Sequence, residues 1–256
     1  MKTRWLRMRC VWIDLCVTVN GEKLLLDKSG AVFWLSTRTL IFADLHFEKG
    51  SSYARGGQFL PPYDTSATLL RMAEVMARRN PARIIALGDS FHDSFAAQRM
   101  GRTERALLET LTAAAQFIWI AGNHDPEPPA WLSGAVMEEW REAGLTFRHA
   151  PRPDAAPGEI AGHLHPAARV AKFGRGVRRR CFAGDAFRLL LPSFGAYTGG
   201  LDVGDPAIAG LFAGPFHAFL LGQDRVYAIA RNQAGRRNNR DEIQPMITAI
   251  STTTSP

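Results

Sequence analysis

Cysteine is scarce in this chain: of 256 residues only Cys10, Cys16 and Cys181 carry a thiol, without any Cys-x-x-Cys spacing. An odd, scattered set of this kind excludes a disulfide framework and a structural zinc finger, and makes a reducing cytoplasm the expected home. Long apolar runs are also missing, and none approaches the roughly 18–20 residues that cross a bilayer. The stretch Met1–Cys16 is basic and then apolar, yet Asp14 breaks the apolar part and no small-residue cleavage site follows. It does not read as a secretory leader. Lysine is the third shortage. Only Lys2, Lys23, Lys28, Lys49 and Lys172 stand among 31 basic residues, which outnumber 24 acids to give a net charge of +7. Arginine therefore dominates, and its planar fork suits bidentate contact with phosphate. An arginine-heavy surface fits nucleic acid, and it fits equally the codon bias of a GC-rich genome.

What remains is an ordinary globular composition, 46% hydrophobic and 21% charged. A folded chain of this length removes roughly 70–75% of its unfolded surface from water, so a sizeable core is expected.

Apolar, β-prone runs at Val32–Leu35 and Thr39–Ala43 follow the turn dipeptides Asn20-Gly21 and Ser29-Gly30. Residues Asp64–Arg79 carry apolar side chains at helical spacing, with Asp64 or Ser66 as the expected N-cap. A buried-strand pattern at Arg83–Leu87, a helix near Thr103–Ala115 and a strand at Phe117–Ala121 complete a strand–helix–strand–helix–strand order. That order predicts parallel strands covered by helices. Beyond Pro126, Pro128 and Pro129 the pattern becomes mostly β, with short strands near Leu145–His149, Glu159–Ala161, Ala168–Phe173, Arg178–Phe182, Phe187–Leu191, Phe216–Leu221 and Arg225–Ala230. From Arg231 the apolar periodicity is lost. The expected organisation is one domain over residues 1–230 and a basic, disordered tail over 231–256.

The seven histidines are His46, His92, His124, His149, His163, His165 and His217. Most of them cluster at strand exits. Asp44-Leu45-His46 follows the first apolar run, and in an extended segment residues two apart face the same way, so both can reach one metal ion. Gly88-Asp89-Ser90-Phe91-His92-Asp93 follows the second, where glycine allows a sharp turn that presents the carboxylate. Gly122-Asn123-His124-Asp125 follows the third, and Gly162-His163-Leu164-His165 a later one, where the same spacing brings two imidazoles together. His149 follows the run at Leu145. Each group alone has a bland reading: a surface pair, a helix cap at Asp89, a turn at Asn123. Together, at the carboxyl ends of strands in an α/β sheet, they mark a site. The mixture of carboxylate, amide oxygen and imidazole, without thiolate, suits Mn²⁺, Fe or Zn²⁺ better than Ca²⁺. There are too many ligands for one ion, and two ions are the economical reading.

These residues, in this order, resemble the calcineurin-like metallophosphoesterases. The resemblance implies a four-layer α/β/β/α sandwich of two mixed β-sheets flanked by helices. It implies a first metal held by Asp44, His46 and His165, a second held by Asn123, His149 and His163, and Asp89 bridging the two. It places His124 beside the metals on the leaving-group side of a phosphoester. Gly88-Asp89-Ser90-Phe91-His92 is similar to the Gly-Asp-x-Phe-His segment of double-strand-break repair nucleases and departs from the Gly-Asp-x-x-Asp-Arg of protein phosphatases. His92 is accordingly expected to support His124. A narrower resemblance, carried by Asp44–Lys49, Glu159–Pro166 and Leu191-Pro192-Ser193-Phe194-Gly195-Ala196-Tyr197-Thr198-Gly199-Gly200, is to the ligase-associated DNA damage response endonucleases. That group implies Mn²⁺-activated cleavage of phosphodiesters alongside a DNA ligase and a helicase. The glycines of the Leu191–Gly200 stretch allow either close backbone approach to the site or a tight turn.

Three readings of function follow. The first is a dinuclear-metal phosphodiesterase acting on DNA or another nucleic acid. The second is a phosphomonoesterase or cyclic-nucleotide phosphodiesterase of the same fold. The third is a non-catalytic scaffold that binds nucleic acid, against which stands the fact that every expected ligand position is filled. Arg178, Arg179 and Arg180, expected in a hairpin loop, are the nucleic-acid contacts this reading singles out.

Overall fold

The computed structural model describes residues 14–125, 129–172 and 175–231. Cys10, Pro126, Pro128, Phe173, Gly174 and the tail expected from residue 231 onward (apart from Arg231 itself) lie outside them.

Alternating side chains build two sheets that share one core. In the first sheet β1 (Leu15–Val19), β2 (Glu22–Leu26), β3 (Val32–Trp34) and β4 (Thr39–Phe42) run antiparallel. Beyond β4 the sheet continues parallel through β5 (Arg83–Leu87), β6 (Gln116–Ile120) and β7 (Ala135–Met137). The β4–β5 crossover carries α1 (Lys49–Arg55) and α2 (Asp64–Arg79); the β5–β6 crossover carries α3 (Ala96–Arg99) and α4 (Arg102–Ala113). These are the parallel strands and covering helices that the strand–helix alternation predicts.

The second sheet is built from β8 (Glu139–Glu142), β9 (Leu145–Arg148), β10 (Glu159–Ala161), β11 (Ala167–Lys172), β12 (Arg175–Gly184), β13 (Arg188–Leu190), β14 (Phe216–Leu221) and β15 (Val226–Arg231). Its order is β15-β14-β12-β13-β10-β9-β8, with β11 paired to β12. Pairing is parallel at β9–β10 and β10–β13 and antiparallel elsewhere, so the sheet is mixed. A short helix α5 (Pro206–Ala209), capped by Asp205, lies between β13 and β14.

Period-two alternation assigns each strand residue to a layer. Ile41, Ile85, Leu87, Ile118 and Ile120 face inward and meet Phe147, Ile160, Phe182, Leu189 and Phe219 of the other sheet. Their neighbours Leu40, Phe42, Ile84, Ala86 and Trp119 face outward and pack under Leu69, Met72 and Val75 of α2 and Leu108 of α4. The outer face of the second sheet buries Ala161, Ala183, Leu190 and Ala218 against Val203, Ile208 and Phe212. The result is the expected sandwich of two mixed sheets, with most of its helix on one side.

Two local expectations are corrected. Tyr63, not Asp64 or Ser66, is the N-cap of α2, and it makes no side-chain cap. Asp64 is instead buried and accepts the N–H of Gly50 at 2.9 Å, so it secures the start of α1. The arginine-rich segment is not a hairpin loop but part of strand β12, with Arg178 opposite Arg169 and Arg179 opposite Ala168.

Candidate dinuclear metal centre

The strands β4, β5, β6, β9 and β10 all end on one rim, and each delivers polar side chains there within a few residues of its last hydrogen-bonded position. Asp44 and His46 follow β4, Asp89 follows β5, Asn123 and His124 follow β6, His149 follows β9, and His163 and His165 follow β10. An extended backbone would turn Asp44 and His46, two residues apart, to the same side. The backbone is instead left-handed at Asp44 (φ 53), His46 (φ 46), Asp89 (φ 48), His163 (φ 67) and His165 (φ 48). For a residue with a Cβ this conformation costs about 1–2 kcal/mol. Five such residues on one rim are the mark of a site whose geometry is held by its surroundings.

Those surroundings are visible in the hydrogen bonds. His46 donates its N–H to the carbonyl of Asp89 at 2.9 Å, Phe47 to Ser90 at 2.8 Å, and His92 to Phe47 at 3.0 Å. Asp125, which sequence reasoning did not single out, is buried and accepts the N–H groups of Ser90 and Phe91 at 2.8 and 3.0 Å. It thereby shapes the turn that carries Asp89. Burial pushes the Asp125 carboxyl up to about 7, and the charge of Asp89 adds to the rise beyond what the two N–H donors offset. Gly122 is required where it stands, because a Cβ there would strike Asp89 and Asp125.

The Leu191–Gly200 stretch lies directly beneath the Asp44–His46 turn. Ser193 donates its hydroxyl to the Asp44 carbonyl at 2.7 Å, Gly195 its N–H to the same carbonyl at 3.0 Å, and Phe194 its N–H to Ala43 at 2.8 Å. A Cβ on Gly195 would meet the Leu45 carbonyl, and one on Gly200 the His165 carbonyl. Close approach, not a turn alone, is why these glycines stand here. Arg180 donates to the carbonyls of Ser193 and Gly195 at 2.9 and 3.1 Å, and Arg71 of α2 donates to that of Phe194 while stacking on its ring. Burial lowers the pKa of both guanidinium groups, Arg71 to about 10. Arg180, grouped in the sequence with two surface arginines, is thus drawn inward as a clamp. Arg178 and Arg179 are exposed on β12.

Six of the donors fall into two groups of three. In the first, ligand atoms of Asp44, His46 and His165 lie within 4.8 Å of one another; in the second, those of Asp89, His149 and His163 do. His163 and His165, two residues apart, therefore part company rather than share one ion. His149 Nδ1 lies 2.9 Å from the Leu87 carbonyl, so this nitrogen carries the proton and Nε2 keeps its lone pair. That lone pair faces Asn123 Oδ1 at 2.8 Å, His163 Nδ1 at 3.0 Å and Asp89 Oδ1 at 3.3 Å. Four electron-rich atoms do not converge so closely without a positive partner. Burial pushes the His149 ring down, yet Asp89 and Asp44 outweigh it and lift the ring to about 9, so Nε2 is a position that holds positive charge, either a second proton or, in its place, a metal ion. Both ring nitrogens of His46 and Nε2 of His165 are buried without a hydrogen-bond partner among the described residues. Buried polar atoms are rarely left so, and a cation accounts for them. The donor set fits divalent ions at both groups.

Asp89 stands between the groups. Its Oδ1 faces His149, and its Oδ2 lies 4.0 Å from His46 Nε2 and 3.8 Å from His124 Nε2. His124 is half exposed, and His92 stacks on it in parallel, with ring centroids 5.4 Å apart and planes at 16°. His217, the remaining histidine, lies on β14 away from this rim and pairs with Phe219.

Comparison with known proteins agrees with this chemistry. The chain resembles the crystal structure of the nuclease MPE from Pseudomonas putida at 28% identity, over 84% of this chain and 100% of that one, with a TM-score of 0.66. Yfce, a phosphoesterase from E. coli, aligns at 12% identity over 73% of this chain and 95% of that one, with a TM-score of 0.37. No curated protein matches the sequence. The model of the calcineurin-like phosphoesterase family matches residues 37–181, a span that takes in both groups of converging donors. By that match and by the chemistry of its rim, the chain belongs to the calcineurin-like phosphoesterases and is a metal-dependent phosphoesterase.

Proposed function

We propose that the protein is a dinuclear-metal phosphodiesterase acting on DNA, a nuclease of the ligase-associated repair group that works in the cytoplasm alongside a DNA ligase and a helicase. The observation that carries the reading is Asp89, whose two oxygens face the two separate donor groups. Asp44, His46 and His165 would hold one ion, Asn123, His149 and His163 the other, and Asp89 both. Mn²⁺ is the ion this set of oxygen and imidazole donors suits, with Fe or Zn²⁺ as the other candidates. Divalent ions so held polarise a phosphoryl group and make water acidic enough to attack it at neutral pH.

The chain's own residues supply the rest. As negative charge grows on the leaving oxygen, His124 donates a proton to it from its exposed ring. His92, stacked on that ring, keeps it over the site, and the Asp89–His124 backbone bond fixes its base. Nucleic acid is supported by the likeness to a nuclease, by the net charge of +7 and by the exposed pair Arg178 and Arg179 on β12. Arg178 donates to the Gly200 carbonyl and so reaches the backbone that abuts His165.

The test is a metal-dependent screen of the purified protein against a bis-ester and a mono-ester of one phenol, cyclic nucleotides, and DNA. Cleavage of DNA and the bis-ester with Mn²⁺, well above the mono-ester, is expected. Preference for the mono-ester would shift the assignment to a phosphomonoesterase of the same fold.

A further inference from the structure

A line of rings leads away from Asp89 on the His124 side. His92 stacks on His124, and the Tyr53 ring lies beyond it, 6.0 Å from His92 and tilted by 51°. Tyr53 stands on α1, one turn after Lys49, whose ammonium lies 5.9 Å from the Tyr53 ring centre. Lys49 is half-buried and makes no hydrogen bond or ion pair among the described residues; the carboxylates that act on it are Asp89, Asp44 and Asp64. A half-buried ammonium that feels the charges of Asp89 and Asp44 and is in ion-pair contact with neither has spare capacity for an anion. The same pairing of cation and ring recurs one step further out, where the Arg55 guanidinium lies 6.0 Å from the ring centre of Phe95, itself 54% exposed.

The support between these pairs is rigid. Arg99 of α3 donates to Ser51 at 2.9 Å and to both oxygens of Asp93, at 2.8 and 2.7 Å, so α1 and the segment after His92 move as one piece. Alternating rings and cations along a fixed surface are how proteins hold a polynucleotide, by base stacking and phosphate contact together.

We propose that Lys49 and Tyr53 form a nucleotide subsite on the leaving-group side, Lys49 holding the phosphate and Tyr53 stacking on the base of the departing nucleoside, with Arg55 and Phe95 meeting the next nucleotide. The proposal rests on the phosphodiesterase reading and sharpens it: a bare phosphodiester is an incomplete substrate, and one flanked by a base on the leaving side is a complete one.

The test uses a dinucleotide with a single phosphodiester and two counterparts, each lacking one base. Loss of the leaving-side base should lower kcat/KM about 5- to 150-fold, the range base stacking gives, chiefly through KM. Loss of the other base should do little. Tyr53→Ala should reduce turnover of the intact dinucleotide and erase the discrimination between it and its counterpart, while Tyr53→Phe restores both. Lys49→Gln should weaken binding of a dinucleotide whose leaving oxygen is replaced by a methylene group (a charged, uncleavable phosphonate) with metal content unchanged, and Lys49→Arg should recover much of it. Equal losses by Tyr53→Ala on the intact and base-less compounds, or none on either, would overturn the subsite. A wild-type protein that cleaves none of the three yet hydrolyses phosphomonoesters would overturn the phosphodiesterase reading, and the subsite with it.

Discussion

His124 is tied to Asp89 through its backbone and not through its ring: the His124 N–H donates to Asp89 Oδ1 at 3.0 Å, while its Nε2 stands 3.8 Å from Oδ2. The ring is left free to meet a substrate, and its base is locked to the carboxylate between the two donor groups. The two residues therefore separate on mutation. Asp89→Asn removes the charge that faces both groups, and metal content measured by elemental analysis should fall together with nearly all hydrolysis. His124→Ala should keep metal content and lower kcat by about 10²–10⁴-fold, the usual share of a proton donor. The loss should be greatest on esters with poor leaving groups; equal loss on activated and unactivated esters would argue against the donor role.

His149 offers a second separation. Its Nδ1 proton is held by the Leu87 carbonyl, which aims Nε2 at the ligands of the second group. Substitution His149→Gln keeps a polar side chain without that aim. Weakening of one ion out of two is the expected outcome, seen as a fall in metal stoichiometry from two to one at limiting Mn²⁺. Retention of both ions at wild-type affinity would remove His149 from the centre.

How much of this was legible beforehand differs by element. Helix α2 and strands β5, β10 and β14 follow the boundaries their patterns predict, because α2 turns a continuous apolar stripe inward and the strands are mainly apolar runs between turn signals. Helix α1 was not legible, since Gly50, Ser51 and Ser52 are weak helix formers and its start is held by Asp64, fourteen residues on from Gly50. Strands β7 and β8 are short and largely solvated and show no apolar alternation to read. At the rim, residue types after strands were visible. The left-handed backbone at Asp44, His46 and His163 was not, because Asp and His favour it far more weakly than glycine does. Nor could a run of arginines on β12 tell which of them turns inward.

That difference along β12 is itself measurable. Arg180 supplies the donors for the Ser193 and Gly195 carbonyls, and leaving buried acceptors unmet costs about 1–3 kcal/mol. Arg180→Met should therefore lower the melting temperature by about 2–4 °C for each kcal/mol lost. Arg179→Glu, on the exposed side of the strand, should leave the melting temperature unchanged. It should instead weaken DNA binding and flatten its dependence on log salt by about 1, as for one phosphate contact. An unchanged salt slope would exclude Arg179 from the DNA surface.

Away from the histidine rim, Asp27 contributes its own share to the response to acid. It is 1% exposed, and burial alone would push its carboxyl up. Hydrogen bonds from the Ser29 N–H at 2.9 Å and from Arg79 and Arg78, each at 2.7 Å, outweigh burial and hold it below the usual carboxylate range. A folded-state pKa below the unfolded value of about 3.9 stabilises the protein fully above that value, and the stabilisation is lost as pH falls from there through the folded pKa. Hydrogen bonds to a charged group contribute about 1.5–3 kcal/mol, so Asp27→Asn should be less stable than wild type by roughly that amount at pH 6–7. The gap should close as pH falls below about 4, because protonating Asp27 removes from the wild type what the substitution has already removed from the variant. Urea midpoints of both proteins between pH 7 and pH 3 decide the matter: parallel curves would mean that Asp27 keeps its proton count on folding, and that the clasp of Arg78 and Arg79 is held by packing rather than charge.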